Sequence, residues 1–198
     1  SSRAPLPSFN SLRTAEADRS LPVNRISTST LRSPRVSCLS AAVLAEMTRI
    51  QSHLVWLGTH ALDLGAMTVF LYCFREREAI IKIFEKVAGV RMMTSYFRVG
   101  GVSREPYPEF YDDCRKFFDD FPSKVDDYEE LLTDNPIFRG RTRGVGAISA
   151  DKAIALGVTG PLLRACGIDY DIRKKEPYLV YDKMNFNVPL GESGDIYD

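Results

Sequence analysis

The stretch that decides the fold reads Ile50-Gln-Ser-His-Leu-Val-Trp-Leu-Gly-Thr-His-Ala-Leu-Asp63-Leu-Gly-Ala-Met-Thr-Val-Phe-Leu-Tyr-Cys-Phe74. Asp63 is the only formally charged residue between Arg49 and Arg75. A carboxylate in so apolar a segment is costly to ionise, because burial favours its neutral form. Such a group is neutral, paired with a cation or histidine, or placed for proton chemistry. A satisfied contact between two helices is the structural alternative.

The helical spacing of this segment places polar side chains on one face. Thr59, Asp63 and Met67 recur at i, i+4, with Trp56 and His60 beside them. A polar line on an apolar surface favours a cavity for an amphiphile over a plain core. The segment approaches the length of a membrane span, for which about 20 apolar residues suffice. Its polar residues, and the amphipathic continuation that follows it, favour a helix buried in protein.

Composition limits the chemistry that this chain can perform alone. The 198 residues carry 26 basic and 26 acidic side chains, so the net charge predicts no bulk attraction to nucleic acid. Four cysteines are scattered without a CxxC pair, which predicts neither a zinc site nor an iron–sulfur cluster built by this chain. His53 and His60 lie about 10.5 Å apart along a helix, too far to share one metal. We therefore predict no metal site here.

The chain divides near residue 40. Residues 1–40 are rich in serine and arginine and poor in acidic residues, which predicts an irregular extension. Such a composition resembles organellar targeting sequence, and a segment draped over partner subunits is the alternative. Residues 41–198 form the globular part. Their pattern predicts an α+β, mainly helical fold with a long buried helix and a strand-like C-terminal segment.

The predicted elements follow from periodicity and from helix-terminating residues. Helical pattern covers 41–74 and 75–87, with Gly58 and Gly65 as close-packing points or kinks. Residues 94–102 favour a strand or loop, and Pro122 predicts a break between two amphipathic helices. Ser149 is expected to cap a short helix that Gly157 ends. Predicted ranges are 108–121 and 123–133 for those two helices, 150–156 for the capped helix, and 178–181 and 186–188 for strands.

Several motifs occur in an order that identifies a family. They are Ala45-Glu-Met-Thr-Arg-Ile-Gln-Ser-His53, Gly58-Thr-His-Ala-Leu-Asp-Leu-Gly-Ala-Met-Thr68, Phe74-Arg-Glu-Arg-Glu78, Arg98-Val-Gly-Gly-Val102, Leu163-Arg-Ala-Cys-Gly-Ile-Asp-Tyr-Asp-Ile-Arg-Lys174 and Val188-Pro-Leu-Gly-Glu-Ser-Gly-Asp195. From Ala41 to Asp198 the chain closely resembles the quinone-site, 49-kDa-type subunit of respiratory complex I (NADH:ubiquinone oxidoreductase). That subunit is a relative of NiFe-hydrogenase large subunits, so the resemblance implies a hydrogenase-like core.

The resemblance also implies a function and a site. In that family a cavity shared with a neighbouring subunit reduces ubiquinone, and the neighbour carries the terminal 4Fe-4S cluster. NADH oxidation is thereby coupled to proton translocation. The resemblance assigns Asp63 as the catalytic group and places Val55, Thr59 and His60 in the quinone cavity. No cofactor is expected on this chain alone.

Partners and location follow from the same resemblance. The expected partners are the cluster-bearing subunit and other peripheral-arm and membrane-arm subunits. The expected location is the matrix side of the mitochondrial inner membrane, without a transmembrane helix of the chain's own. Nucleic acid is not expected as a partner.

Two features depart from the family pattern. Met93 stands where the family usually has a histidine close to the terminal cluster. The family also continues on both sides of the match, which predicts the middle piece of a split subunit that assembles with its companion fragments. Two alternatives stay open: a chloroplast relative that reduces plastoquinone, and a fragment kept only as an assembly scaffold.

Overall fold

The computed structural model describes residues 34–98 and 101–198, which form two compact units. The larger unit contains residues 34–121, with that gap, and residues 178–183. The smaller unit contains residues 122–177 and 184–198. Helix α1 (Pro34–Asp63) begins seven residues before the predicted boundary at Ala41. The rest of the predicted irregular extension, residues 1–33, lies outside the described residues.

A helical hairpin replaces the single long helix predicted over 41–74. Helix α1 ends at Asp63, and α2 (Met67–Ala88) follows after a three-residue turn. Gly65 has φ +94°, a left-handed conformation that costs a residue with a Cβ about 1–2 kcal/mol. The Gly65 amide donates to Leu62 O (2.9 Å) and the Ala66 amide to Ala61 O (2.7 Å), a Schellman motif. The prediction of one continuous helix was therefore wrong.

Close packing joins the two helices of the hairpin. A Cβ placed on Gly58 would lie 3.3 Å from the Cys73 Cβ, so the small residue allows α2 to approach. Leu44, Met47 and Leu54 of α1 are fully buried in this unit. The predicted role of Gly58 as a close-packing point is thus confirmed.

Helix α3 (Phe110–Tyr128) runs through Pro122, where we had predicted a break. It continues into a π-helical turn, Glu129–Thr133. Proline removes one backbone donor and costs roughly 3 kcal/mol inside a helix. Phe121 and Val125 on either side are buried, and their burial offsets that cost. The acidic pairs of this helix lie mainly on its exposed side, as predicted.

A two-stranded antiparallel ladder is the only sheet within the described residues. Strands β1 (Phe97–Arg98) and β2 (Gly101–Val102) pair with Phe97 opposite Val102. Strand β2 contacts α1, which places this ladder on the hairpin. The strand-like character predicted for residues 94–102 is confirmed on this small scale.

The segment Tyr178–Lys183 returns to α1 as a polar clasp, formed by Glu46, Arg49, Tyr178 and Tyr181. The Arg49 Nη1 donates to Glu46 Oε1 (2.7 Å) and to the Tyr181 hydroxyl (2.9 Å), and Nη2 donates to the Tyr178 hydroxyl. The Tyr181 hydroxyl donates to Glu46 Oε1. We had predicted a strand over 178–181; Leu179 instead has φ +52° and a 3-10 turn spans Tyr181–Lys183.

The smaller unit also contains four short helices: α4 (Pro136–Thr142), α5 (Ala150–Ala155), α6 (Gly160–Ala165) and α7 (Ile172–Lys175). Ser149 caps α5 by accepting from the Lys152 amide, and Gly157 follows with φ +68°, both as predicted. Residues 186–188 form no strand, so the predicted strand-like C-terminal segment was wrong.

The mainly helical fold class is confirmed, with β-structure reduced to one small ladder. No helix of the described residues has an apolar run long enough to cross a bilayer. The hydrogenase-like core stays a prediction.

Candidate functional site

The residues that the sequence predicts to form the quinone site lie together at the end of α1. Thr59 Oγ1 contacts the Val55 carbonyl at 2.9 Å and the Trp56 carbonyl at 3.1 Å. The His60 Nδ1 lies 2.8 Å from the Trp56 carbonyl, which can only accept a hydrogen bond. Nδ1 is therefore the donor in this contact.

Asp63 is the last residue of α1, and its side chain is exposed. The C-terminal end of a helix carries partial negative charge, so a carboxylate there is unfavourable by about 0.3–1 kcal/mol. Among the described residues its carboxylate has no ion-pair partner. Our expectation of a carboxylate buried within the chain was wrong: the break at Gly65 brings Asp63 to the surface of the hairpin.

Large apolar side chains surround these polar groups. Trp56 is 45% exposed, Leu62 38% and Met67 61%. We call this surface the hairpin tip, defined by Trp56, Thr59, His60, Leu62, Asp63 and Met67. Met67 begins α2 rather than extending the i, i+4 line of α1. Exposed apolar groups around a carboxylate are typical of a surface that binds a ligand or another protein.

Met93 lies away from the hairpin tip. It lines a pocket of about 350 Å³ with Ala88, Tyr96 and Arg104, beyond the C-terminal end of α2. The 22 residues of α2 span about 33 Å. Met93 is 92% exposed and has φ +55°, an uncommon conformation for a residue other than glycine. The structure therefore separates Met93 from Asp63 by most of the length of α2.

Two of the cysteines are too buried to act as thiolates. Cys73 and Cys114 lie inside the larger unit, and burial raises the pKa of each thiol to about 12. Both are protonated near neutral pH, whereas cluster ligands are thiolates. Among the described residues no group of three or more His, Cys, Asp or Glu side chains converges as a metal site.

Sequence reasoning missed a buried charge cluster in the smaller unit. Asp171 accepts from Arg173 through Nε to Oδ1 (3.0 Å) and Nη2 to Oδ2 (2.7 Å). Arg164 Nη1 lies 3.6 Å from the same Oδ2. Burial opposes the charge of Asp171, but the hydrogen bonds and charge of Arg173 hold its pKa below the ordinary value. The signal was the alternation of arginine and aspartate within 163–174.

Comparison with known proteins decides the family. The model of the family "Respiratory-chain NADH dehydrogenase, 49 Kd subunit" matches residues 63–198. The chain belongs to this family. The resemblance deduced from the ordered motifs is thereby confirmed.

Individual relatives agree with this assignment, and all three named here are D-type subunits of NADH-quinone oxidoreductase. The relative from Koribacter versatilis (strain Ellin345) is 64% identical over 152 residues, which are 77% of this chain and 38% of that protein. The relative from Solibacter usitatus (strain Ellin6076) is 57% identical over 155 residues, 78% of this chain and 38% of that protein. The relative from Geobacter metallireducens (strain ATCC 53774 / DSM 7210 / GS-15) is 54% identical over 156 residues, 79% and 40%. The chain spans about two fifths of the length of these curated relatives.

Proposed function

We propose that this chain supplies the hairpin tip to the quinone-reducing site of an NADH-quinone oxidoreductase. One observation carries the proposal: in a chain of this family, an exposed carboxylate, Asp63, stands among exposed apolar side chains at the end of a helix. A quinone has an apolar ring and tail and two polar oxygens. The hairpin tip offers both kinds of contact.

Each residue of the tip has a role in this proposal. Trp56, Leu62 and Met67 contact the ring and exclude water. Thr59 and His60 orient the ring through acceptor atoms, because their donor hydrogens are used by the Val55 and Trp56 carbonyls and their remaining lone pairs can accept from the hydroxyl groups of the quinol. Reduction of a quinone to a quinol takes up two electrons and two protons, and Asp63 is the group that changes protonation during that uptake. The unfavourable position of this carboxylate at the C-terminal end of α1 is then explained by its role in proton uptake.

The electrons come from a 4Fe-4S cluster on a neighbouring subunit. The positions of Cys73 and Cys114 support this division, since both are buried and no group of ligand side chains converges within the described residues. Met93 would lie nearest the cluster, at the other end of α2 from Asp63. The partners are the cluster-bearing subunit and further peripheral-arm and membrane-arm subunits, with electron transfer coupled to proton translocation.

The names of the relatives support an NADH-linked complex over the plastoquinone-reducing alternative. The composition of residues 1–40 resembles organellar targeting sequence, which supports our proposed location on the matrix side of the mitochondrial inner membrane; it would equally suit a chloroplast. The relatives named above are bacterial, so this location needs its own test, by fractionation of the cells that make the protein. The split-subunit hypothesis stays a prediction.

Photoaffinity labelling of the purified complex tests the proposal. A short-chain quinone carrying an azide should label the peptide 54–67 after irradiation, and excess unlabelled quinone should prevent it. The peptide 145–157 of the smaller unit also carries exposed apolar residues, Ile154 and Leu156, and serves as the matched control. Equal labelling of both peptides, or none at the tip, would overturn the proposal.

A further inference from the structure

The guanidinium of Arg164 is a buried cation without an adequate partner in the described part of the chain. Arg164 is only 9% exposed. Its Nε has no hydrogen-bond partner, and its Nη1 lies 3.6 Å from Asp171 Oδ2, beyond hydrogen-bonding distance. An arginine has five N–H donors, and a buried charge is costly unless it is paired and hydrogen-bonded. Burial accordingly lowers the pKa of Arg164 below its ordinary value.

Asp171 pairs with Arg164 only through a long contact, because the hydrogen bonds to this carboxylate come from Arg173. Arg173 donates from Nε, from Nη2 and from its backbone amide to the two oxygens of that carboxylate. Arg164 therefore shares this carboxylate with Arg173, which takes its hydrogen bonds. Arg164 is the incompletely paired cation, since its contact with Asp171 is the longer one and its Nε has no hydrogen-bond partner.

The side chains around Arg164 indicate what kind of partner completes its pairing. Leu162, on the same short helix, is 67% exposed, and Tyr170 and Ile172, which flank Asp171, are 36% and 49% exposed. A largely desolvated arginine among exposed apolar and aromatic side chains has the composition of the core of a protein interface. Charge complementarity then requires an acidic group on the other side.

We propose that Arg164 is the anchor of a docking surface that receives a carboxylate side chain of an adjoining polypeptide. The surface consists of Leu162, Arg164, Tyr170 and Ile172. The incoming Asp or Glu completes the hydrogen bonding of the Arg164 guanidinium, and the apolar side chains exclude water around the pair. This inference rests on the proposed assembly of the chain into an oxidoreductase complex.

Zero-length cross-linking of the assembled complex tests this docking surface. In R164K the amine keeps the charge and can be coupled to a touching carboxylate by a carbodiimide. Mass spectrometry should find a cross-link from position 164 to an Asp or Glu of another polypeptide. A cross-link to Asp171 alone, or none, overturns the proposal. Co-purification of the wild-type chain with the complex separately tests assembly, so the two failures are distinguishable.

A second variant decides the matter if R164K does not assemble. In R164M an apolar side chain replaces a buried charge that is only partly paired, so the smaller unit should keep its resistance to proteolysis. Its affinity for the adjoining polypeptide should fall about tenfold or more, measured as dissociation of the complex with rising salt. K175M removes an exposed cation nearby and should dissociate like wild type. Unchanged dissociation of R164M, or loss of its protease resistance, would refute the docking role.

Discussion

The substitution Asp63→Asn should separate stability from activity. Asn keeps the shape of Asp63 but removes the charge that faces the negative end of α1. The relief is worth about 0.3–1 kcal/mol. Opening of the helix end, which exposes the amides of Leu64, Gly65 and Ala66, should then become about two- to fivefold rarer. Hydrogen exchange of these amides in the purified complex measures how often this helix end opens.

The rate of quinone reduction should fall, although the end of α1 becomes more stable. Loss of a positioned proton-transfer group typically costs a factor of about 10²–10⁴ in rate. NADH-driven quinone reduction by the Asp63→Asn complex should fall by that order. Reduction of an artificial acceptor that takes electrons before the quinone site should keep its wild-type rate. A more stable helix end with lower turnover is the combination expected of a functional residue.

Asp112 provides the matched control. It is also exposed, but it lies in the first turn of α3, where a carboxylate is favourable. Asp112→Asn should therefore make opening of that helix end more frequent and leave quinone reduction unchanged. A wild-type rate of quinone reduction by the Asp63→Asn complex would refute the catalytic role of Asp63. It would favour the alternative that the chain is an assembly scaffold.

Three further predictions test other parts of the chain. Gly65→Ala should lower the free energy of unfolding by about 1–2 kcal/mol, because φ is +94° at this position. Gly140→Ala has open space around it in α4 and should not lower it, and thermal inactivation of the two variants measures the difference. Asp171 has a lowered pKa, so its contribution to stability is complete above about pH 4 and is lost as the pH falls further. Proteolysis between pH 3 and 7 should show this loss in wild type, while Asp171→Asn should be protease-sensitive at all pH values. Met93→His introduces a group that titrates near neutral pH, so the midpoint potential of the neighbouring cluster should depend more steeply on pH, towards about 59 mV per unit. An unchanged slope in a redox titration would exclude Met93 from the cluster's surroundings.

Helix termini and tight contacts were predictable from the sequence because single residues determine them. Ser149 caps α5, Gly157 follows its end, and Gly58 allows a close helix approach, each as its residue type indicated. The hairpin was harder to predict. Both helices are apolar near the turn, so helical periodicity continues across Gly65 and conceals the reversal. That error alone misplaced Asp63 from the surface to the interior.

The remaining errors arose where local preference and tertiary structure disagree. Aromatic and β-branched residues at 178–188 favour strands, yet Leu179 adopts a positive φ and the tyrosines bind α1. Pro122 favours a helix break, yet burial on both sides keeps α3 continuous. The arginine and aspartate residues within 163–174 were a signal for the Arg164 cluster, but only the distances show that Arg173 takes the hydrogen bonds of Asp171 and that Arg164 has the longer contact.

The polar clasp can form only late during synthesis of the protein. It joins Arg49 to Tyr181, 132 positions later in the chain. At about 5–20 residues per second, a ribosome needs roughly 7–26 s to make that intervening length. During this interval α1 has been synthesised, but the tyrosines that contact Glu46 and Arg49 have yet to be made. We therefore expect the part of α1 around Arg49 to be accessible to chaperones until Tyr181 has emerged.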